Sequence, residues 1–200
     1  MQKSYRAIRH DVIRAKQKEY NQDVVHHELK TNQINFFLNN KNSLQILELF
    51  SGSGALTDIY KNYGSVIACD KKNGTGDSFR LYHKFIYENK KFDVIDIDSF
   101  GFPNRFLPDI YLLIDSGLMF VTLPIPSINI LHDITKTHLF SYYGLDNPSI
   151  TDMANKIALM GLSHWRKVSV IDILKCNRVY RLVLEVLKVK STEYTGIKNR

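Results

Sequence analysis

The chain has 200 residues, 44% hydrophobic and 24% charged, and its Lys and Arg outnumber Asp and Glu to leave a net charge of +7. Those values describe one globular domain large enough to bury a core without staples. With only Cys69, inside a predicted strand, and Cys176, at a predicted hairpin turn, the sequence argues against a disulfide framework or a zinc cluster and for a reducing compartment. The most apolar window, residues 110 to 131, is broken by Asp115, Pro124 and Pro126, which argues against a membrane span. No secretory leader is visible behind Lys3, Arg6, Arg9 and Arg14, so the expected compartment is the cytoplasm. The positive charge suits a polyanionic partner without establishing one.

Residues 1–41 form a basic arm in which Ile8, Val12, Ile13, Val24 and Val25 are spaced for amphipathic helices. One use for such an arm is a flap over a substrate's phosphates. The adjacent His26 and His27 point to different helix faces, which speaks against a metal pair. Residues 33–38 read as a helix end before an Asn/Lys loop.

The run Ile46-Leu-Glu48-Leu-Phe50-Ser51-Gly52-Ser-Gly54 reads as a buried parallel strand that turns sharply into a helix over residues 55–62. Glycines at 52 and 54 let the backbone take positive φ and approach a ligand, facing the N–H groups of the following helix. A second strand, residues 65–69, delivers Asp70 to the mouth of this loop, where a carboxylate suits the two hydroxyls of a ribose. A nicotinamide fingerprint would need a third glycine where Thr57 stands. Glu48 through Gly54 instead resembles the first motif of class I S-adenosylmethionine-dependent methyltransferases. That resemblance implies S-adenosylmethionine as cofactor, with Glu48, Phe50, Ser51, Gly52, Gly54 and Asp70 around it.

Asp77 opens a helix predicted to run to about residue 89, and it can cap that helix, meet the adenine edge, or do both. The next strand starts at Phe92, only 22 positions after Asp70, so a strand or helix of a doubly wound sheet is missing or rudimentary here. In Phe92-Asp-Val-Ile-Asp96-Ile-Asp98-Ser99-Phe100-Gly-Phe102-Pro103 two carboxylates alternate with apolar neighbours at a strand's carboxyl end. Asp in a strand runs against propensity and is costly to bury, and such a local violation points to function. The run is similar to the tRNA guanine-N2 dimethyltransferase family, whose pattern is D-x-D-P-[YF]-G-x-P, with Ser99 here in place of Pro. The resemblance spans roughly residues 44–187.

That likeness implies methyl transfer to an exocyclic base amine. Asp98 would accept the amine hydrogens with Asp96 beside it, Phe100 would stack on the base, and Phe102 would line the site. The chemistry needs no metal. A cytosine C5 route would need a cysteine after the Gly-Phe-Pro, where Asn104 stands.

Further on, residues 107–114 read as a helix, 118–123 as a strand, 149–160 as an N-capped helix ending at Gly161, and 168–174 with 179–189 as an antiparallel hairpin. His132, His138, Tyr142 and Tyr143 make the loop before that helix unusually aromatic. Arg178 and Arg181, with Arg166, Lys167 and Lys175, either form a phosphate-facing rim or are solvated charges.

The expected architecture is therefore α/β: a Rossmann-like class I methyltransferase sheet, mostly parallel, with an antiparallel C-terminal hairpin and a shortened third-strand region. Its divisions are the arm at 1–41, the methyltransferase domain at 42–190 and a tail at 191–200. The expected partner is nucleic acid, RNA ahead of DNA, with no membrane and no metal. The alternatives are a DNA adenine or cytosine amine methyltransferase and an inactive nucleic-acid-binding subunit with the same fold.

Overall fold

The computed structural model describes residues 24–71, 75–99, 101–125, 139–145, 147–176 and 179–190. Six strands, β1 (Leu44–Leu49), β2 (Gly64–Cys69), β3 (Val94–Ile97), β4 (Ser116–Pro124), β5 (Arg166–Cys176) and β6 (Val179–Lys188), form one sheet in the order β2-β1-β3-β4-β6-β5. The first four are parallel, and β6 runs antiparallel to both β4 and β5. This is the predicted mostly parallel sheet with its hairpin. The short gap after Asp70 has the predicted consequence, because one helix, α3 (Ser78–Tyr87), is the only regular element described between β2 and β3.

Helices cover both faces. On one side α1 (Val24–Leu38) and α2 (Ala55–Tyr60) pack Ile34, Leu38, Leu56 and Tyr60 against Ile46, Val94, Phe120 and Val183. On the other, α3, a 3-10 turn (Ile110–Leu113) and α4 (Ile150–Leu162) lie over Leu47, Leu49, Ile95, Ile97, Met119 and Val121. Strand alternation explains the division, since even-numbered and odd-numbered residues of β1 and β3 face opposite layers.

Three predicted details change. The part of the arm from residue 24 belongs to the domain, because Ile34 and Leu38 are wholly buried in its core. The helix predicted over residues 107–114 is only a 3-10 turn after a series of turns, held where Phe92 N–H donates to the Leu113 carbonyl. Helix α4 is capped by Ser149 with a reciprocal Asp152 bond, as its sequence indicates, but runs through Gly161 to Leu162. Gly161 is there for packing: a β-carbon on it would stand 2.4 Å from Val168 Cγ2. The arm over residues 1–23, His132, His138 and the tail 191–200 lie outside the described residues.

Candidate active site

At the carboxyl end of β1 the chain leaves the strand through Phe50, a non-glycine residue at φ 68°. Its N–H donates to the Cys69 carbonyl at 2.8 Å and faces Ser78 Oγ at 3.2 Å. Strain of this kind persists only where the surroundings enforce it. Ser78, whose hydroxyl also donates to the Cys69 carbonyl, is the enforcing residue at the start of α3. Gly52 and Gly54 follow at φ 57° and 87°, as the loop requires. A β-carbon at Gly52 would meet nothing within 4 Å, so the loop faces open space there. The Gly52 N–H donates to Asp70 Oδ2 at 3.0 Å, which brings the glycine loop and the acid after β2 into one place.

Glu48 lies under this loop and is buried. Thr57 Oγ1 donates to its Oε2 at 2.5 Å. Burial raises the Glu48 carboxyl to about 8, against the lowering effect of the Thr57 bond and with help from Asp96 and Asp98. The group is therefore a neutral acid at pH 7. Thr57, the residue that departs from the dinucleotide fingerprint, is the partner this acid needs.

Asp77 caps α3, its Oδ1 accepting the N–H of Phe79 at 2.8 Å and of Arg80 at 3.4 Å, while Lys71 pairs with Oδ2 at 2.6 Å. The Lys71 bond, the first of several causes, holds its carboxyl below the usual range. Phe50 and Phe79 both pack edge-on against Phe106, at centroid distances of 5.3 and 5.7 Å, so an aromatic wall stands beside the loop.

The two carboxylates of the β3 motif divide. Asp96 is wholly buried and its Oδ2 accepts from Arg181 Nη2 at 2.6 Å and from the Tyr60 hydroxyl at 2.8 Å. Asp98 is at the strand's mouth, 20% exposed, and its N–H donates to the Leu49 carbonyl at 3.3 Å. The ends of β1 and β3 are thus joined directly, with Asp98 beside the glycine loop. Lys30 Nζ, from α1, reaches both carboxylate oxygens of Asp98 at 2.8 and 2.6 Å, and Arg181 Nη1 lies 4.0 Å away. Burial raises the Asp98 carboxyl, but the Lys30 and Arg181 cations outweigh it and hold it below the usual range.

Two expected roles are corrected by this arrangement. Arg181 is 0% exposed, bonded to Asp96 and, at 3.2 Å, to Thr122 Oγ1, so it cannot face a phosphate. A guanidinium in the interior persists only with such partners. Asp96 is enclosed with it, away from the surface, and its carboxylate holds the Arg181 guanidinium. Arg166 is buried too, with its Nε donating to the Ile114 carbonyl, which leaves Lys167, Lys175 and Lys188 as the exposed cations of the hairpin among the described residues.

Past Asp98, Ser99 Oγ donates to the Gly101 carbonyl at 2.6 Å, closing a turn where the resembling family has proline. Phe102 is half-buried against the core, and Asn104 Oδ1 accepts the Tyr143 hydroxyl at 2.8 Å, tying this loop to the segment after β4. Phe100 and Arg178 lie outside the described residues. No cluster of three or more His, Cys, Asp or Glu able to hold a metal occurs among the described residues, and none of their helices is long and apolar enough to cross a membrane.

Sequence reasoning missed the roles of Lys30 and Thr57, and placed Ser78 only at an adenine edge rather than under Phe50. Thr57 carried a signal as the break in the glycine pattern, and Ser78 as the residue after a helix-capping Asp. Nothing local marked Lys30 among the cations of the arm.

No protein-family model matches the sequence, and no curated protein matches it either. Solved structures do resemble the fold. Trm1 from Pyrococcus horikoshii in complex with S-adenosyl-L-methionine superposes with a TM-score of 0.56 at 14% identity, over 84% of this chain and 55% of that one. A putative S-adenosylmethionine-dependent methyltransferase from Streptococcus mutans gives 0.52 at 11% identity, over 77% and 48%. Magnesium protoporphyrin IX methyltransferase from Synechocystis PCC 6803 with bound S-adenosylhomocysteine gives 0.52 at 12%, over 82% and 84%. The chain spans about half the length of the first two, 55% and 48%. With its glycine loop, its acid after β2 and its reversed β6, the chain has the class I S-adenosylmethionine-dependent methyltransferase fold.

Proposed function

We propose that the protein is an S-adenosylmethionine-dependent N-methyltransferase acting on an exocyclic amine of a nucleobase, with guanine N2 in tRNA or another RNA as the leading acceptor. The residues present fit the cofactor. The open side of Gly52 admits close approach, Asp70 stands at the ribose end, and Phe50, Phe79 and Phe106 offer an apolar wall for a purine. When bound there, S-adenosylmethionine supplies an electrophilic methyl on a sulfonium that is its own leaving group.

The observation that carries the reading is Asp98. It is a partly exposed carboxylate held ionised at the end of β3, one backbone hydrogen bond from the end of β1. An exocyclic base amine has its lone pair conjugated with the ring. A carboxylate accepting the amine hydrogens draws the nitrogen toward sp³ character and fixes it in place. Because its neighbours make it a weak base, Asp98 serves as acceptor and orienter, and the proton released on transfer goes to water. Phe100, next but one in sequence, supplies the stacking platform in this reading, and Phe102 belongs to the same loop.

The test is incubation with methyl-labelled S-adenosylmethionine and separate pools of tRNA, other RNA and duplex DNA, followed by nucleoside digestion. The expected product is N2-methylated guanosine from RNA, lost in Asp98→Ala. Label in adenine or cytosine amines of DNA would move the acceptor and keep the chemistry. Failure to label any pool, with RNA still bound tightly, would make the chain a binding subunit.

A further inference from the structure

Lys30 gives the acceptor site a condition for being filled. Its ammonium lies on both oxygens of Asp98, the place the reading above gives to the acceptor amine. A neutral aromatic amine cannot displace it unaided, because hydrogen bonds from a charged donor are roughly twice as strong as neutral ones. The ammonium must be offered another anion.

Three features make such a transfer inexpensive. The Lys30 and Asp98 side chains are 15% and 20% exposed, so a ligand reaches the pair from solution. Helix α1 need not move. Ile34 and Leu38 fix it in the core, and Gln33 Nε2 ties it to Asp172 of β5 at 2.7 Å, so rotation of the four-carbon Lys30 stem suffices. Asp98 also keeps a counter-charge when Lys30 leaves, since Arg181 Nη1 is 4.0 Å away and is itself fixed by Asp96. The ionisable groups around the pair are Arg181, Asp96 and Glu48, and none of the three is exposed.

We infer that Lys30 is a specificity-determining residue: its ammonium passes from Asp98 to a backbone phosphate of the target strand as the amine takes its place. An acceptor that brings a phosphate is favoured, and a base or nucleoside without one is methylated more slowly. This rests on the proposed function and narrows its substrate class to phosphate-bearing nucleic acid.

The experiment compares wild type, Lys30→Gln and Lys30→Arg on two acceptors, guanosine and a guanine-containing single-stranded RNA oligonucleotide. Oligonucleotide affinity is also measured by fluorescence anisotropy across a salt series with S-adenosylhomocysteine present. In Lys30→Gln the ratio of kcat/KM for oligonucleotide to that for guanosine should fall at least tenfold. The slope of log affinity against log salt should shrink by about 0.7, the share of one phosphate on a single strand. Lys30→Arg should keep the wild-type slope. An unchanged slope and ratio in Lys30→Gln, or an equal loss on both acceptors, overturns the hand-off while leaving the proposed function standing. Wild type that binds no oligonucleotide and methylates neither acceptor overturns both.

Discussion

Arg181 Nη2 lies 2.6 Å from Asp96 Oδ2, and both side chains are completely enclosed, although 85 positions separate them in sequence. The pair joins β6 to β3 beneath the site and turns the reversed strand into part of its floor. Removing one partner strands the other charge in the interior. Arg181→Leu should therefore cost about 3–5 kcal/mol, the range for breaking a buried pair. The Asp96→Leu/Arg181→Leu double variant should recover much of that loss. Urea denaturation measures both, and a single variant within 1 kcal/mol of wild type, roughly the scale of an exposed pair, would refute the structural role given to Arg181.

Glu48 should give stability a pH dependence of definite sign. Its carboxyl is raised to about 8 in the folded chain, against about 4.3 when unfolded. Between those values the folded state holds a proton that the unfolded state has released, so stability is greatest at the acid end and falls as pH rises through 8. Glu48→Gln keeps an acceptor for Thr57 and has nothing to titrate. Its denaturation midpoint, relative to wild type, should climb from pH 5 to pH 8.5. Parallel profiles for the two proteins would show that Glu48 titrates normally.

Gly161 puts helix propensity and packing in opposition. Alanine gains about 1 kcal/mol over glycine inside a helix. Here its β-carbon would stand 2.4 Å from Val168 Cγ2 and 3.2 Å from the Arg166 carbonyl, and valine is stiff about χ1. Overpacking of that kind costs typically about 1–3 kcal/mol. Gly161→Ala should accordingly lower the thermal midpoint, and a raised midpoint would show that β5 yields.

These residues also show what sequence could and could not carry. Strands β1, β2 and β3 were legible because each is an apolar run ending at an acid, and the cap at Asp77 because it involves neighbours two and three positions on. The shortened region after Asp70 was a matter of spacing. Arg181 defied prediction because an arginine in a strand reads as solvated, and its partner is set only when β6 inserts between β4 and β5. Lys30 and Asp98, 68 positions apart, meet only after α1 docks on the sheet. Gly161 was read as a helix stop because a packing constraint from β5 leaves no local trace.

The ends of β1 and β2 are assigned to an adenosyl cofactor, and isothermal titration with S-adenosylhomocysteine measures whether they hold it. Wild type should bind one equivalent. Asp70→Ala, which removes the carboxylate assigned to the ribose hydroxyls, should weaken binding by roughly 10–100-fold, the worth of one or two charge-assisted hydrogen bonds. Asp98→Ala should bind almost as wild type does. Absence of binding by the wild-type chain, or an affinity that Asp70→Ala leaves unchanged, would contradict a cofactor site at these strand ends.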